Sequence, residues 1–449
     1  MAENESEHSP EEEFQRMLNE LLSGSGVDPA QLAGAAGLPN DPASLAALMN
    51  QLRQSMSGPD GGVNWSVAIQ HGEQQAAQDE RQIEPGERSA LEQAANLAEL
   101  WLDEATSFAT VGSTVRLLTR RQWVTATMPV WSELSTPMAT SVSNSLTNVM
   151  QNESPEELQS MVAGAGSFLR NIGGTLFAMQ LGHVVGQLSK EVISGGDVGI
   201  PLFTDGQAVL LPQNVSNFGD ELSIPASEIA LYVAVRELAH ARLFKHARWL
   251  RLEFMSSLTE FAKGVHIDVE RLHEVAEGLD PSNPEQLQAA IRDGSLIPPK
   301  SDQQLAALAR LETTLALIEG WVDAVTAEAT KRMPSASAIA ETIRRRRASG
   351  GPAESAFGAL VGLELRPRRL REAAAMWVQL GEAVGLEARD ALWQHPDSMP
   401  TGEDIDAPAA LIARLTGAAT PSAEDLAFDA ALDELLRGET PPAPEQPTE

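Results

Sequence analysis

The stretch VRELAHARLFKHARWLR, residues 235–251, decides how the rest of the chain is interpreted. Its beginning differs at one position from H-E-x-x-H, a helical motif in which two histidines hold zinc and the glutamate acts as general base. Arg236 stands where the first histidine belongs, while Glu237 and His240 keep the other two positions. The stretch is therefore a metal site, the remnant of one, or an ordinary buried helix.

Helix geometry explains why this spacing matters. Successive residues turn by about 100°, so positions four apart lie about 40° apart and both can reach one metal ion. Glu237 lies about 60° from His240 on the same basis, which suits it to take a proton from metal-bound water. A guanidinium does not deprotonate in proteins and cannot donate a lone pair, so Arg236 cannot replace the missing ligand.

Composition favours a mostly α protein. Of the 449 residues 43% are hydrophobic, but only 4% are aromatic. The core must therefore consist mainly of leucine, alanine, valine and isoleucine, and the small share of aromatic residues argues against a fold dominated by sheets.

Charge and cysteine content narrow the function classes. The net charge of −31 repels phosphate backbones and anionic lipid surfaces, so neither nucleic acid nor membrane is expected as a partner. The chain has no cysteine, and any metal must be held by histidine, aspartate or glutamate. With no basic, apolar leader at the start and no long apolar run, a cytoplasmic protein is expected.

The pattern along the chain predicts three regions. Residues 1–60 are expected to be an acidic, largely disordered region with short amphipathic helices, 61–436 a helical domain, and 437–449 a disordered tail. Within the domain, residues 194–225 are the one long Gly/Pro-rich interruption, expected to form a loop or a short strand. A helix around Trp123 is expected to end before Pro129.

Several stretches beyond the near-motif carry a family resemblance: LFAMQLGHVVGQLSKEV, VGIPL, LLPQNVSNF, LIEGWVDAV, IRRRR and RDALWQHPDSMPT. Together with residues 235–251 they resemble an actinobacterial family of zincin-like metallopeptidases, type 2, over about residues 65–415. The resemblance implies a multi-helical zincin-like core, hydrolase or peptidase activity on a peptide or protein substrate, and zinc as cofactor.

Three residues are candidates for a further metal ligand. His246 lies six positions after His240, but on an unbroken helix it points about 120° away. Glu260 has the spacing at which a following helix supplies a ligand in some zincins. Glu319 is favoured, because LIEGWVDAV resembles the glutamate-bearing helix of the gluzincin type, in which Asp323 would hold a metal-binding histidine in place by a hydrogen bond.

Arg236 also has a non-catalytic interpretation. An arginine on a buried helix must be paired, and Glu319, Asp323 or Glu260 could pair with it while His240 completes the network. The chain is then either a metal-dependent hydrolase with a degenerate motif, or a pseudo-metallopeptidase without metal that binds or scaffolds a partner. Two arginine groups, residues 344–347 and 366–371, either bind an anionic ligand or neutralise the chain's own carboxylates.

Overall fold

The structure is a computed structural model that describes residues 63–112, 114–153, 159–203, 206–220, 222–264, 300–350, 358 and 367–417. The expected N-terminal region 1–60 and the tail 437–449 lie outside these residues, and the domain boundaries stay a prediction. Within them the chain is mostly helical, as the sequence predicts.

Helices account for most of the described residues. In chain order they are α1 (Trp65–Ala76), α2 (Pro85–Leu102), α3 (Arg120–Glu153), α4 (Gln159–Glu191), α5 (Pro212–Asp220), α6 (Ala226–His246), α7 (Leu250–Lys263), α8 (Asp302–Ala329), α9 (Ala336–Ser349), α10 (Leu370–Ala391), α11 (Gly402–Asp406) and α12 (Pro408–Leu415). One short 3₁₀ helix, Pro396–Ser398, lies between α10 and α11.

The described residues include one small sheet of two short strands. Strand β1 (Arg116–Leu117) pairs in parallel with β2 (Val209–Leu210), which confirms the expected short strand within residues 194–225. That segment is not only a loop, however, because α5 begins inside it at Pro212. A proline at the first helical position loses no hydrogen bond, since the amide there has no partner within the helix.

The prediction that a helix ends before Pro129 is wrong. Helix α3 continues through both Pro129 and Pro137. A proline inside a helix removes one backbone hydrogen bond, but Met128 and Trp131 on either side of Pro129 are fully buried. Their packing holds the helix together where local propensity would end it.

Two helices position the near-motif. Helix α6 packs against α2 and α8, and α8 packs in turn against α10. The indole of Trp321 on α8 donates to Asp390 Oδ1 at 2.9 Å, and the indole of Trp377 on α10 donates to the carbonyl of Leu317 at 3.0 Å. These buried bonds hold α8 in place, and with it the carboxylate that faces α6. No helix among the described residues is long and apolar enough to cross a bilayer.

Candidate functional site

Helix α6 carries the near-motif into the middle of the protein. Its buried residues run almost without interruption from Ile229 to Leu243, because the helix is apolar nearly all round. Arg236, Glu237 and His240 are each at most 3% exposed. The motif is therefore not on an open surface, and each polar atom needs a partner inside the protein.

Glu319 on α8 meets the motif helix. The Arg236 guanidinium donates to Glu319 Oε2 in a buried ion pair. His240 Nε2 lies 3.3 Å from Glu319 Oε1, and its Nδ1 lies 3.1 Å from the carbonyl oxygen of Arg236. Arg347 on α9 adds a second cation, with its NH2 3.6 Å from Glu319 Oε1. The structure therefore shows Arg236 paired with a buried carboxylate, as the non-catalytic interpretation of Arg236 expects.

The charges in this cluster support one another. Burial raises the pKa of Glu319, but Arg236 and Arg347 outweigh burial and bring that pKa well below its usual value. Burial lowers the pKa of Arg236, and the Glu319 carboxylate more than offsets this effect. Burial also lowers the pKa of His240, with Glu319 opposing it only in part. The cluster is therefore an ionised carboxylate held by guanidiniums beside a neutral imidazole.

Glu237 faces a different part of the protein. Its Oε2 accepts the backbone N–H of Gly196 at 2.8 Å, and its Oε1 accepts the backbone N–H of Val209 on β2 at 2.7 Å. Burial raises the pKa of Glu237 to about 7, although these two hydrogen bonds act against it. Its carboxylate thus joins the loop before β2 and the strand itself to α6.

A glycine-rich loop lies directly on the cluster. A Cβ on Gly195 would come within 2.9 Å of Glu237 Oε1, and one on Gly196 would come within 2.5 Å of the His240 side chain. Gly199 has φ of +75°, and a Cβ there would lie 3.0 Å from Glu319 Oε1. The loop fits against all three site residues only because it has no side chains at these positions.

The two weaker ligand candidates do not join the site. Glu260 on α7 pairs with Arg310, and both side chains are 40% or more exposed. His246 is exposed and stacks on Phe108, with ring centroids 4.5 Å apart. The unbroken course of α6 from Ala226 to His246 explains the second result, because it turns His246 away from His240.

Asp323 has a different partner from the histidine that the resemblance implied. It accepts two hydrogen bonds from the Arg344 guanidinium, at 2.7 Å from NH2 and 3.1 Å from Nε. Asp323 lies one turn after Glu319 on α8, so each of these two carboxylates meets one arginine of α9. The E-x-x-x-D pattern here serves to dock α9.

Sequence reasoning missed three contributors: Arg347, Asp197 and the glycines of the loop. Asp197 is buried, accepts the backbone N–H of Ile193 at 3.0 Å, and pairs with Arg346 at 2.8 Å. The stretch IRRRR contains Arg347 and VGIPL contains Gly199, so the family resemblance was the available signal for these two residues, whereas Asp197 lies just outside the quoted stretches. Nothing in their spacing tells which of four consecutive arginines points inward.

The residues present do not fit a catalytic zinc. Two ligands of a tetrahedral zinc, each about 2.0–2.1 Å from the metal, lie about 3.3 Å apart, and His240 Nε2 and Glu319 Oε1 have this separation. The third ligand position, however, belongs to a permanent cation, and two guanidiniums lie at Glu319. Among the described residues no three histidine, aspartate or glutamate side chains are grouped to hold a metal ion.

Comparison with known proteins supports the fold and the family. A solved structure from Chloroflexus aurantiacus, described as a candidate hydrolase with a novel fold, superposes with a TM-score of 0.54 at 18% identity. The match covers 79% of this chain and 99% of that one, and at this identity it shows a shared fold only. No curated protein matches the sequence. The sequence profile of one family, described as zincin-like metallopeptidase, matches residues 63–412. Because this match spans well over half of the chain, the protein belongs to the zincin-like metallopeptidase family.

Proposed function

We propose that this chain is a pseudo-metallopeptidase: a zincin-like protein that works by binding a partner instead of cleaving it. One observation carries the proposal, the buried pair between Arg236 and Glu319. The guanidinium supplies beside Glu319 the positive charge that a metal ion supplies in a metallopeptidase centre. A metal ion entering this cluster would have to displace Arg236 and would also be repelled by Arg347.

Two further features support a binding role. Each oxygen of Glu237 accepts a backbone N–H group and the residue is only 2% exposed, so this carboxylate faces protein backbone instead of an open substrate cleft. The loop that contains Gly195 and Gly196 lies on Glu237 and His240 and leaves only a very small cavity of about 10 Å³ beside them. A peptide backbone cannot enter a space of that size.

The competing function is a metal-dependent hydrolase with a degenerate motif, in which Glu237 is the base and His240 and Glu319 are the ligands. The separation of His240 Nε2 and Glu319 Oε1 favours it, since it suits two zinc ligands. Two protein ligands fall short of the three that catalytic zinc sites keep. We therefore expect any zinc in the native protein to be bound weakly and at less than one ion per chain.

The deciding experiment measures zinc stoichiometry and peptidase activity in the native protein and in Arg236→His. The native protein should hold no stoichiometric zinc after dialysis, and it should not cleave casein or a mixture of fluorogenic peptides with zinc added. Arg236→His restores the H-E-x-x-H spacing and removes the closest guanidinium from Glu319, so with three ligands this variant should take up about one zinc ion per chain despite Arg347. One chelator-sensitive zinc per native chain together with peptide cleavage would overturn the proposal.

A further inference from the structure

One cavity of the protein lies next to the Arg236 cluster. It has a volume of about 320 Å³ and lies between the end of α4, helix α5 and the end of α9. At about 30 Å³ for a water-sized group, this volume holds a ligand of roughly ten non-hydrogen atoms. Arg347 reaches both places, since it lines the cavity and lies 3.6 Å from Glu319.

The wall of the cavity combines apolar and charged side chains. Five of its thirteen lining residues are apolar: Leu188, Val192, Ile193, Val198 and Phe218. Its charged members are three cations and two anions: Lys190, Arg346, Arg347, Glu191 and Asp197. The lining therefore carries one net positive charge in a chain whose net charge is −31. An apolar wall with a few placed charges is typical of a small-molecule site.

Not every arginine of the sequence cluster can serve such a site. Arg345 points to solvent, where its side chain is 77% exposed, and Arg345 and Arg371 both pair with Glu341. Arg346 lies at the cavity with its side chain 31% exposed, between the carbonyl of Glu191 and Asp197 Oδ2. The sequence suggested either anion binding or neutralisation for these arginines. In the structure Arg345, Arg346 and Arg347 each pair with a carboxylate of the chain, and Arg346 and Arg347 in addition line the cavity.

We propose that this cavity binds a small ligand with one carboxylate group and an apolar body. Arg346 and Lys190 contact the ligand carboxylate, and Arg347, which lies between the cavity and Glu319, adds its positive charge. One net positive charge matches a monoanion. A phosphate dianion would instead leave excess negative charge next to buried Asp197. The apolar wall takes the body of the ligand. This assignment rests on the proposed binding function and gives it a site and a ligand class.

Two sources share this chemistry: a free carboxylic acid, and the C-terminal carboxylate of a polypeptide that ends in an apolar residue. Titration calorimetry on zinc-free protein should use hexanoate, hexanamide and hexyl phosphate, and then a tetrapeptide ending in leucine as the acid and as the amide. We expect both acids to bind, and both amides to bind at least about tenfold more weakly. A peptide acid that binds more tightly than hexanoate identifies a polypeptide ligand, and the reverse order identifies a free acid.

Variants locate the binding. Arg346→Ala should weaken hexanoate at least about tenfold, whereas the matched control Arg345→Ala on the same helix should change its affinity less than about twofold. If Arg346→Ala fails to fold because Asp197 loses a partner, Lys190→Glu is the second variant. It reverses the net charge of the lining without removing a buried contact, and it should weaken hexanoate equally strongly.

Three results would overturn the assignment: equal binding of hexanoate and hexanamide, equal weakening by Arg345→Ala, or no binding of either acid to the native protein. These outcomes are separate from the zinc test, because the titration uses zinc-free protein. If the titration fails while the native protein lacks zinc, the cavity assignment falls and the pseudo-metallopeptidase stands. If the native protein holds zinc and cleaves peptides, the proposed function falls, whatever the cavity binds.

Discussion

Replacing Arg236 by methionine tests the buried ion pair through its effect on stability. Methionine fills much of the space of the arginine stem but leaves Glu319 buried without its closest cation. Removing one member of a buried pair usually costs about 3–5 kcal/mol. Arg347 and His240 remain close to Glu319, so we expect a loss near the lower end, about 3 kcal/mol.

Replacing the other member of the pair, Glu319, should lower the free energy of unfolding by more than Arg236→Met does. Glu319→Leu leaves two guanidiniums, those of Arg236 and Arg347, without the carboxylate they share. The double variant Arg236→Met with Glu319→Leu leaves only Arg347 affected, and it should be more stable than Glu319→Leu alone. The two substitutions should therefore be strongly non-additive, with a coupling of about 2 kcal/mol or more.

Urea titration of the native protein, both single variants and the double variant measures this coupling as the difference in unfolding free energies. Glu260→Gln is the matched control, because Glu260 also pairs with an arginine but on the surface. It should cost less than about 1 kcal/mol. Additive effects of the Arg236 and Glu319 changes would refute the reasoning, since the two side chains would then not depend on each other.

Two further predictions concern Glu237 and the glycine loop. The pKa of Glu237 is raised from 4.5 to about 7, so between these pH values the folded protein keeps a proton that the unfolded chain releases, and stability falls as pH rises. Glu237→Gln cannot titrate, and its stability relative to the native protein should improve by up to about 3 kcal/mol between pH 4.5 and pH 7.5. A constant difference between the two proteins over this range in urea titrations would contradict the raised pKa. Gly196→Ala places a methyl group against His240 and should lower the unfolding free energy by about 1–3 kcal/mol. Gly86→Ala, whose Cβ would meet nothing within 4 Å, is its control and should be neutral or slightly stabilising; equal effects of the two would show that the loop does not press on the site.

Much of the helical framework can be predicted from the sequence. The mostly helical character follows from the composition and is confirmed for the described residues, and Ser301 forms a capping box with Gln304 at the start of α8. The choice of Glu319 over Glu260 and His246 depended on family resemblance. Spacing alone does not distinguish a buried Glu319 from a solvent-exposed one, whereas in the structure the residue is fully buried.

The contacts that complete the site could not be predicted in this way. Arg347 meets Glu319 from a helix that begins seventeen residues later in the chain, and helical periodicity does not say which of four arginines turns inward. Asp197 and Gly196 lie in a segment without regular spacing, so no face could be assigned to them. The course of α3 through Pro129 depends on the packing of neighbouring helices, which local propensity does not contain.

The most direct test of the account is a crystal structure of the native protein grown with zinc, with anomalous data collected at the zinc absorption edge. We predict no zinc peak between His240 and Glu319, and the Arg236 guanidinium within hydrogen-bond distance of Glu319 Oε2. A zinc peak about 2.0–2.2 Å from both His240 Nε2 and a Glu319 oxygen, with Arg236 turned away, would contradict the claim that a guanidinium has taken the place of the metal.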